Sequence, residues 1–124
     1  LKLGEIIEQL ENAIRSSRDE DGGYCSFDFG GHPTGFVSYR GYYERLGWEY
    51  SGSHSSEIHA DKVLEMCKDA VGKVFTGYKG GDYTMDEDSE VHIGCYGCCS
   101  PLRVVGIGKY RYTDCCIMTA PFDD

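Results

Sequence analysis

The sequence lacks an apolar run of the roughly 20 residues that a membrane-spanning helix needs. Its first residues, Leu1 to Glu5, also lack the charged and apolar regions of a secretory signal peptide. Basic residues are scarce, since 12 Lys and Arg stand against 21 Asp and Glu and the net charge is −9. A protein that grips a nucleic-acid backbone needs several cations to neutralise phosphates. We therefore expect a soluble, cytoplasmic protein whose partners include neither a membrane nor a nucleic acid.

Motifs of known catalytic centres are absent as well. No His-Glu-x-x-His zinc site, Gly-x-Ser-x-Gly elbow or Walker loop occurs, and the four histidines are scattered. A cysteine and a histidine could still form a nucleophilic pair, because such partners meet only in the fold. The prediction is that the protein is not an enzyme, has no catalytic residues and uses no cofactor. Two or three well-placed cations can nevertheless hold a small anionic ligand in an acidic protein, so ligand binding stays open.

The chain has 124 residues, which suits one domain with one modest core, and we predict a single domain over 1–124. Apolar residues recur with a helical period over the first fifteen residues and again over 58–71, where Ser56 is the predicted N-cap. Aromatic and β-branched runs predict strands at 24–29, 36–43, 46–50, 75–78, 83–85, 91–93, 102–107, 110–113 and 115–118, with a turn at 30–35. Because helices and strands do not alternate regularly, we expect an α+β fold: an antiparallel sheet with an N-terminal helix and one central amphipathic helix.

Seven cysteines are present, and their odd number and two adjacent pairs fit a disulfide framework poorly. Most are expected to serve as small, partly buried apolar residues. A half zinc ribbon is the alternative, with ligands from the 95–99 segment and from the pair Cys115 and Cys116. Adjacent residues on a strand point to opposite faces, however. We therefore predict no metal site and keep a zinc-stabilised adaptor as an alternative function.

The acidic segment 86–90 could hold calcium, because its carboxylates are closely spaced. It lacks the glycine and the distant bidentate glutamate of an EF-hand loop. A solvated turn is the favoured interpretation, as for most short runs of like charge.

The most concentrated polar and aromatic segment is Ser38-Tyr39-Arg40-Gly41-Tyr42-Tyr43. On a strand, Tyr39 and Tyr43 would share one face, while Arg40 and Tyr42 would face the other way. Tyrosine rings offer stacking surface for a base, and a guanidinium offers a fork for phosphate oxygens. The segment therefore predicts a nucleotide-sized ligand. The alternative is a tyrosine-rich strand pair in which Arg40 forms a salt bridge with a carboxylate.

Two further segments could complete a cationic, aromatic pocket. In the first, Tyr78 and Lys79 precede Gly80 and Gly81, and consecutive glycines let backbone N–H groups converge on an anion. A Gly-Gly hairpin turn explains the same residues without a ligand. In the second segment, 109–112, Arg111 supplies a cation beside tyrosines. The predicted ligand-binding residues are Tyr39, Arg40, Tyr42, Tyr43, Tyr78, Lys79, Gly80 and Arg111.

Four segments, 2–10, 27–31, 38–43 and 75–85, together resemble a family of small bacteriophage proteins, the first type of Thoeris anti-defence proteins. The resemblance spans most of 1–110 and does not extend to the cysteine-rich segment 95–99 or to Cys115 and Cys116. It implies an oligomeric sponge in the host bacterial cytoplasm. Such a sponge sequesters cyclic ADP-ribose isomers made by bacterial TIR-domain immune proteins, without degrading them.

The resemblance also implies roles for individual residues. The N-terminal helix would pair subunits into a homo-oligomer, and the ligand would lie near the subunit interfaces. The stackers and phosphate contacts that it implies are Tyr39, Arg40, Tyr42, Tyr43, Tyr78 and Lys79. An acidic inhibitor that binds a host defence protein is the alternative function.

Overall fold

The computed structural model describes residues 1–17, 22–28, 32–39, 45–51, 58–76, 80–94, 102–110 and 113–121. Within these ranges there are two helices, α1 (Leu3–Arg15) and α2 (Ala60–Ala70). The strands are β1 (Tyr24–Phe27), β2 (His32–Tyr39), β3 (Arg45–Ser51), β4 (Ile58–His59), β5 (Val74–Thr76), β6 (Asp82–Thr84), β7 (His92–Gly94), β8 (Leu102–Tyr110) and β9 (Thr113–Ala120).

Seven of these described strands form one sheet in the order β2-β3-β7-β8-β9-β1-β4, and β5 and β6 form a separate hairpin. The predicted α+β fold with an N-terminal helix and a central helix is confirmed. The sheet is mixed rather than wholly antiparallel, because β3 pairs with β7 and β1 pairs with β9 in parallel. Parallel neighbours need a long crossover connection. Helix α2 lies in the connection from β3 to β7, and local sequence patterns do not reveal which strands such a connection joins.

Helix α1 forms where the sequence predicts it, and its apolar stripe is buried inside the chain. Leu3, Ile6 and Leu10 are fully buried, and the helix packs on β8, β9 and α2. Its first turn has free N–H groups that backbone carbonyls satisfy. The nitrogen of Leu3 donates to the carbonyl of Ser89 at 2.9 Å, and that of Gly4 donates to the carbonyl of Glu87 at 3.0 Å. The acidic turn is thereby fastened to the start of α1.

Helix α2 begins later than predicted. Ile58 and His59 are extended and pair with β1, so the helix starts at Ala60 and the prediction of Ser56 as its N-cap is wrong. The nitrogen of Ala60 donates to the carbonyl of Gly23 at 2.9 Å. Tertiary pairing with β1 therefore overrides the local capping signal. The buried face of α2 consists of Ala60, Val63, Cys67 and Ala70.

The bounds of one predicted turn and of two predicted strands are also corrected. Strand β2 begins at His32, inside the predicted 30–35 turn, and a register irregularity lies between Pro33 and Gly35. Proline is tolerated at the start of a strand or at a bulge. The predicted strand 102–107 continues to Tyr110 as the single strand β8, with register shifts near its glycines. Strand β9 then begins at Thr113. Neither helix of the described ranges is long and apolar enough to cross a membrane.

The approach of β3 to β7 is close at Gly47, whose register partner is His92. A Cβ atom on Gly47 would overlap the backbone carbonyl of His92. Only glycine therefore fits this parallel pairing. The clash would be with backbone atoms, which cannot move aside as the end of a flexible side chain can.

We expect Gly47→Ala to lower the free energy of unfolding by about 3 kcal/mol or more, the upper range of overpacking costs. Denaturant titration measures the change. Gly106→Ala is the matched control, because a Cβ there meets no atom within 4 Å, and its effect is expected to stay within about 0.5 kcal/mol. Equal stability of the two variants would contradict the close β3–β7 approach.

Candidate functional site

The β5–β6 hairpin carries one of the predicted ligand-binding loops. Thr76 and Asp82 are register partners at its end, and the hydroxyl of Thr76 donates to a carboxylate oxygen of Asp82 at 3.1 Å. This pair encloses loop 77–81. Gly80 has a φ of +88°, in the left-handed region that favours glycine. The glycine at position 80 is therefore required by the loop conformation.

Tyr83 is an aromatic side chain beside this loop that was not among the predicted site residues. It is 39% exposed, and its phenolic oxygen lies 3.5 Å from the position that a Cβ would take on Gly81. A side chain at position 81 would therefore contact the ring, and the glycine leaves that space open. The signal in the sequence was a tyrosine two residues after the glycine pair, on a predicted strand. Alternation alone did not tell which face of that strand was exposed.

Strand β2 lies beside β5, so two of the predicted segments extend from neighbouring strands. β2 is an edge strand of the large sheet and ends at Tyr39, while β5 leads into the loop with Gly80. The remaining predicted residues of these two segments, Arg40, Tyr42, Tyr43, Tyr78 and Lys79, lie outside the described residues. The fold therefore brings the strand that ends at Tyr39 next to the glycine hairpin.

The third segment lies at the same end of the sheet but farther away. β8 runs antiparallel to β7, and Arg103 is the register partner of His92. On its other side, His92 is the register partner of Gly47 on β3. Tyr110 lies seven residues beyond Arg103, whereas Arg45 lies two residues before Gly47. The two hairpin ends are thus offset by roughly 16 Å along the strands and roughly 10 Å across them in a flat sheet. Arg111, outside the described residues, follows Tyr110, so one small ligand does not readily reach both segments of one chain.

An open groove of about 280 Å³ runs along the outer face of α1. It is lined by Gly4, Ile7, Glu8, Glu11, Asn12, Arg15 and Glu87. Among the described residues that line it, the one cationic side chain is that of Arg15, which donates to the side-chain oxygen of Asn12 at 3.1 Å. Three carboxylates against one guanidinium give the groove a negative potential, which disfavours an anionic ligand there.

The acidic turn beside this groove is solvated, as predicted. Asp86, Glu87 and Asp88 are exposed. A carboxylate oxygen of Asp86 accepts hydrogen bonds from the nitrogen of Asp88 at 2.9 Å and from the hydroxyl of Ser89 at 3.3 Å. The Asp86 side chain therefore stabilises the turn itself, whereas Glu87 and Asp88 present their charges to solvent.

The described part of the chain contains no group of three His, Cys, Asp or Glu side chains placed to hold a metal ion. Cys115 and Cys116 are consecutive residues of β9, both buried, and strand geometry sends their side chains to opposite faces. One ion cannot readily use both. Cys95, Cys98 and Cys99 lie outside the described residues, so the half zinc ribbon keeps at most one described ligand.

No family model matches the chain, and no match was found among curated proteins or solved structures. The resemblance to Thoeris anti-defence proteins is carried by the motifs alone.

The left-handed conformation at Gly80 can be tested by a pair of substitutions. We expect Gly80→Ala to lower the free energy of unfolding by about 1–2 kcal/mol, because a Cβ disfavours this backbone conformation. Gly81→Ala should change it by less than about 0.5 kcal/mol, since its Cβ would only make an ordinary contact with Tyr83. Urea titration of both variants measures the two changes in the free energy of unfolding. A larger effect at Gly81 than at Gly80 would show that the loop has another conformation.

Proposed function

We propose that the protein binds a small nucleotide of the cyclic ADP-ribose class and sequesters it without degrading it, as a phage anti-defence protein. The observation that supports this most is the β5–β6 hairpin, with Gly80 and the exposed ring of Tyr83, beside the edge strand that ends at Tyr39. Two segments that the sequence predicted for one ligand thereby extend from strands that contact each other.

The chemistry of such a ligand suits these residues. A cyclic ADP-ribose has an adenine ring that can stack on tyrosine, and stacking of a base on an aromatic side chain is worth about 1–3 kcal/mol. Its pyrophosphate needs donors, and a glycine loop exposes backbone N–H groups to which Arg40 and Lys79 would add charge. In a protein of net charge −9, local cations of this kind are what an anionic ligand requires.

A homo-oligomer is part of the proposal, and the structure narrows how α1 could take part. The most apolar residues of α1, Leu3, Ile6 and Leu10, are buried inside the chain. A subunit contact through this helix would have to use its outer face, with the half-buried Ile7 flanked by Glu8 and Glu11. Like charges would then meet across a symmetric interface, and added salt would screen their repulsion.

Calorimetric titration with a cyclic ADP-ribose isomer tests the proposal. We expect Arg40→Ala to weaken binding by ~1.5–3 kcal/mol, the usual loss for a charge-assisted contact, and Tyr83→Ala to weaken it by about 1–3 kcal/mol through lost stacking. After heat denaturation of the complex, mass spectrometry should recover the ligand intact. Recovery of a cleaved product would indicate an enzyme instead.

Tyr24→Ala is the matched control for Tyr83→Ala. Tyr24 is 52% exposed, and its ring lies 4.5 Å from that of His59. It belongs to β1, five strand spacings from β2 in the sheet order, or about 24 Å. Its replacement is expected to leave the affinity unchanged. Equal losses for both tyrosine variants would remove the β5–β6 hairpin from the site.

The acid-lined groove of α1 favours a second candidate function, the binding of a basic surface on a host defence protein. Its carboxylates continue into the exposed Glu87 and Asp88 of the acidic turn. Attraction between such surfaces speeds association and weakens with salt.

Charge reversal separates the two functions. Under this second function, Glu87→Lys together with Asp88→Lys should abolish the anti-defence activity, because the groove loses its negative potential. Asp86 is left intact, because its carboxylate stabilises the turn. Arg40→Ala would leave the activity unchanged in that case. A phage infection assay on cells with the TIR-based defence measures both variants, and loss with Arg40→Ala alone would support the nucleotide sponge.

A further inference from the structure

Cys25 and Cys115 face each other in the core of the sheet. They are register partners on the parallel strands β1 and β9, and their sulfur atoms are 3.2 Å apart. Both residues are buried, with exposed fractions of 0% and 1%. Two residues farther along the same strands, Phe27 and Ile117 are also register partners and are also buried. The two thiols therefore lie on the core face and contact each other directly.

The spacing expected between the paired strands suits a disulfide at this position. Neighbouring strands lie about 4.8 Å apart, which is inside the range of roughly 4.4–6.8 Å that Cα atoms span across a disulfide. The sulfurs need to approach by only about 1 Å to reach the bond length of about 2.0 Å. Rotation of the two side chains can supply this movement, and the strands can keep their register.

The contact also makes the two thiols chemically unequal. The hydrogen bond between them and burial raise the pKa of the Cys25 thiol. The same hydrogen bond favours the thiolate of Cys115 and lowers its pKa. Burial raises the pKa of the Cys67 thiol on α2. A thiolate is the reactive form of cysteine, and these directions favour Cys115 over Cys25 and Cys67 as the attacking sulfur.

We propose that Cys25 and Cys115 are a modification site, a buried dithiol that a peroxide converts into a reversible disulfide between β1 and β9. The Cys115 thiolate attacks one oxygen of hydrogen peroxide, the O–O bond breaks, and a sulfenic acid and hydroxide form. The Cys25 sulfur then attacks the Cys115 sulfur and forms the S–S bond. The departing oxygen takes the Cys25 proton and leaves as water. The hydroxide becomes water with the proton that Cys115 lost when it ionised, so two thiols are oxidised to one disulfide and one peroxide is reduced to two molecules of water.

The bond would fasten the end of the sheet that supports α2. β1 pairs with β4, and β4 leads directly into α2. The linked cysteines are 90 positions apart in the chain, so the bond would also restrict the unfolded chain strongly. The candidate ligand site lies on the other side of the sheet order, at β2. Oxidation is therefore expected to raise stability and leave ligand affinity unchanged.

Peptide mapping of the full chain after treatment with hydrogen peroxide tests the proposal. Remaining thiols are alkylated in denaturant before cleavage with trypsin. We expect a linked pair of peptides that contain Cys25 and Cys115, at a mass lower by two hydrogen atoms, which dithiothreitol separates. Fragmentation between Cys115 and Cys116 assigns the linked sulfur, since both residues lie in one tryptic peptide. The melting temperature of the oxidised protein should rise by at least about 5 °C.

Cys116→Ser is the matched control, because Cys116 is buried on the same strand but is the register partner of Ser26. This variant should still form the linked peptides, whereas Cys25→Ser and Cys115→Ser should not. The result from the unaltered chain stands even if a variant fails to fold. Recovery of Cys25 and Cys115 as alkylated thiols after other cysteines have oxidised would overturn the proposal, as would a bond from Cys25 to another cysteine.

Discussion

The parallel approach of β3 to β7 at Gly47 is the constraint on which the arrangement of the molecule depends. In the described sheet, this pairing joins the β2–β3 pair to the five strands on which the helices pack. The missing side chain at Gly47 lets the two backbones meet at His92. Strand β2 of the candidate ligand site is held by its pairing with β3, whereas the β5–β6 hairpin is also fastened to the end of α2 by hydrogen bonds between Met85 and residues 72 and 73.

The acidic turn and the outer groove of α1 form one negatively charged surface. The exposed acidic turn is held at the start of α1 by hydrogen bonds to Leu3 and Gly4, and its carboxylates continue along the outer groove of that helix. The glycine hairpin lies beside β2 instead, at the edge of the sheet. The hairpin also carries the carboxylate of Asp82, so an anion bound there would need local cations to offset that charge.

The described cysteines show how the same residue type can serve packing and chemistry. Cys67 is a buried residue of the inner face of α2, and Cys116 lies buried on β9. Cys25 and Cys115 are buried as well, but register places their sulfurs 3.2 Å apart. All four side chains are buried. Only the pairing of β1 with β9 distinguishes Cys25 and Cys115, because it brings their sulfur atoms together.

Much of the local structure followed from the sequence alone. The stripe of Leu3, Ile6 and Leu10 predicted α1 and its buried face, because a helical period is a property of neighbouring residues. The glycine pair predicted the hairpin turn, and Gly80 has the left-handed conformation that such turns use. The last strand and the solvated acidic turn were predicted in the same way.

Contacts between distant parts of the chain decided the rest. The parallel pairings, the pairing of Ile58 with β1 and the resulting later start of α2 depend on which strands meet. The placement of Tyr83 beside the glycine loop and of β5 beside β2 has the same origin. No local pattern determines these partners, because the free energy that selects them comes from contacts formed only when the whole sheet is assembled. The sequence by itself determined where the two helices and most of the strands form, and the tertiary structure decided their bounds at residues 32 and 58–59 and which strands and side chains meet.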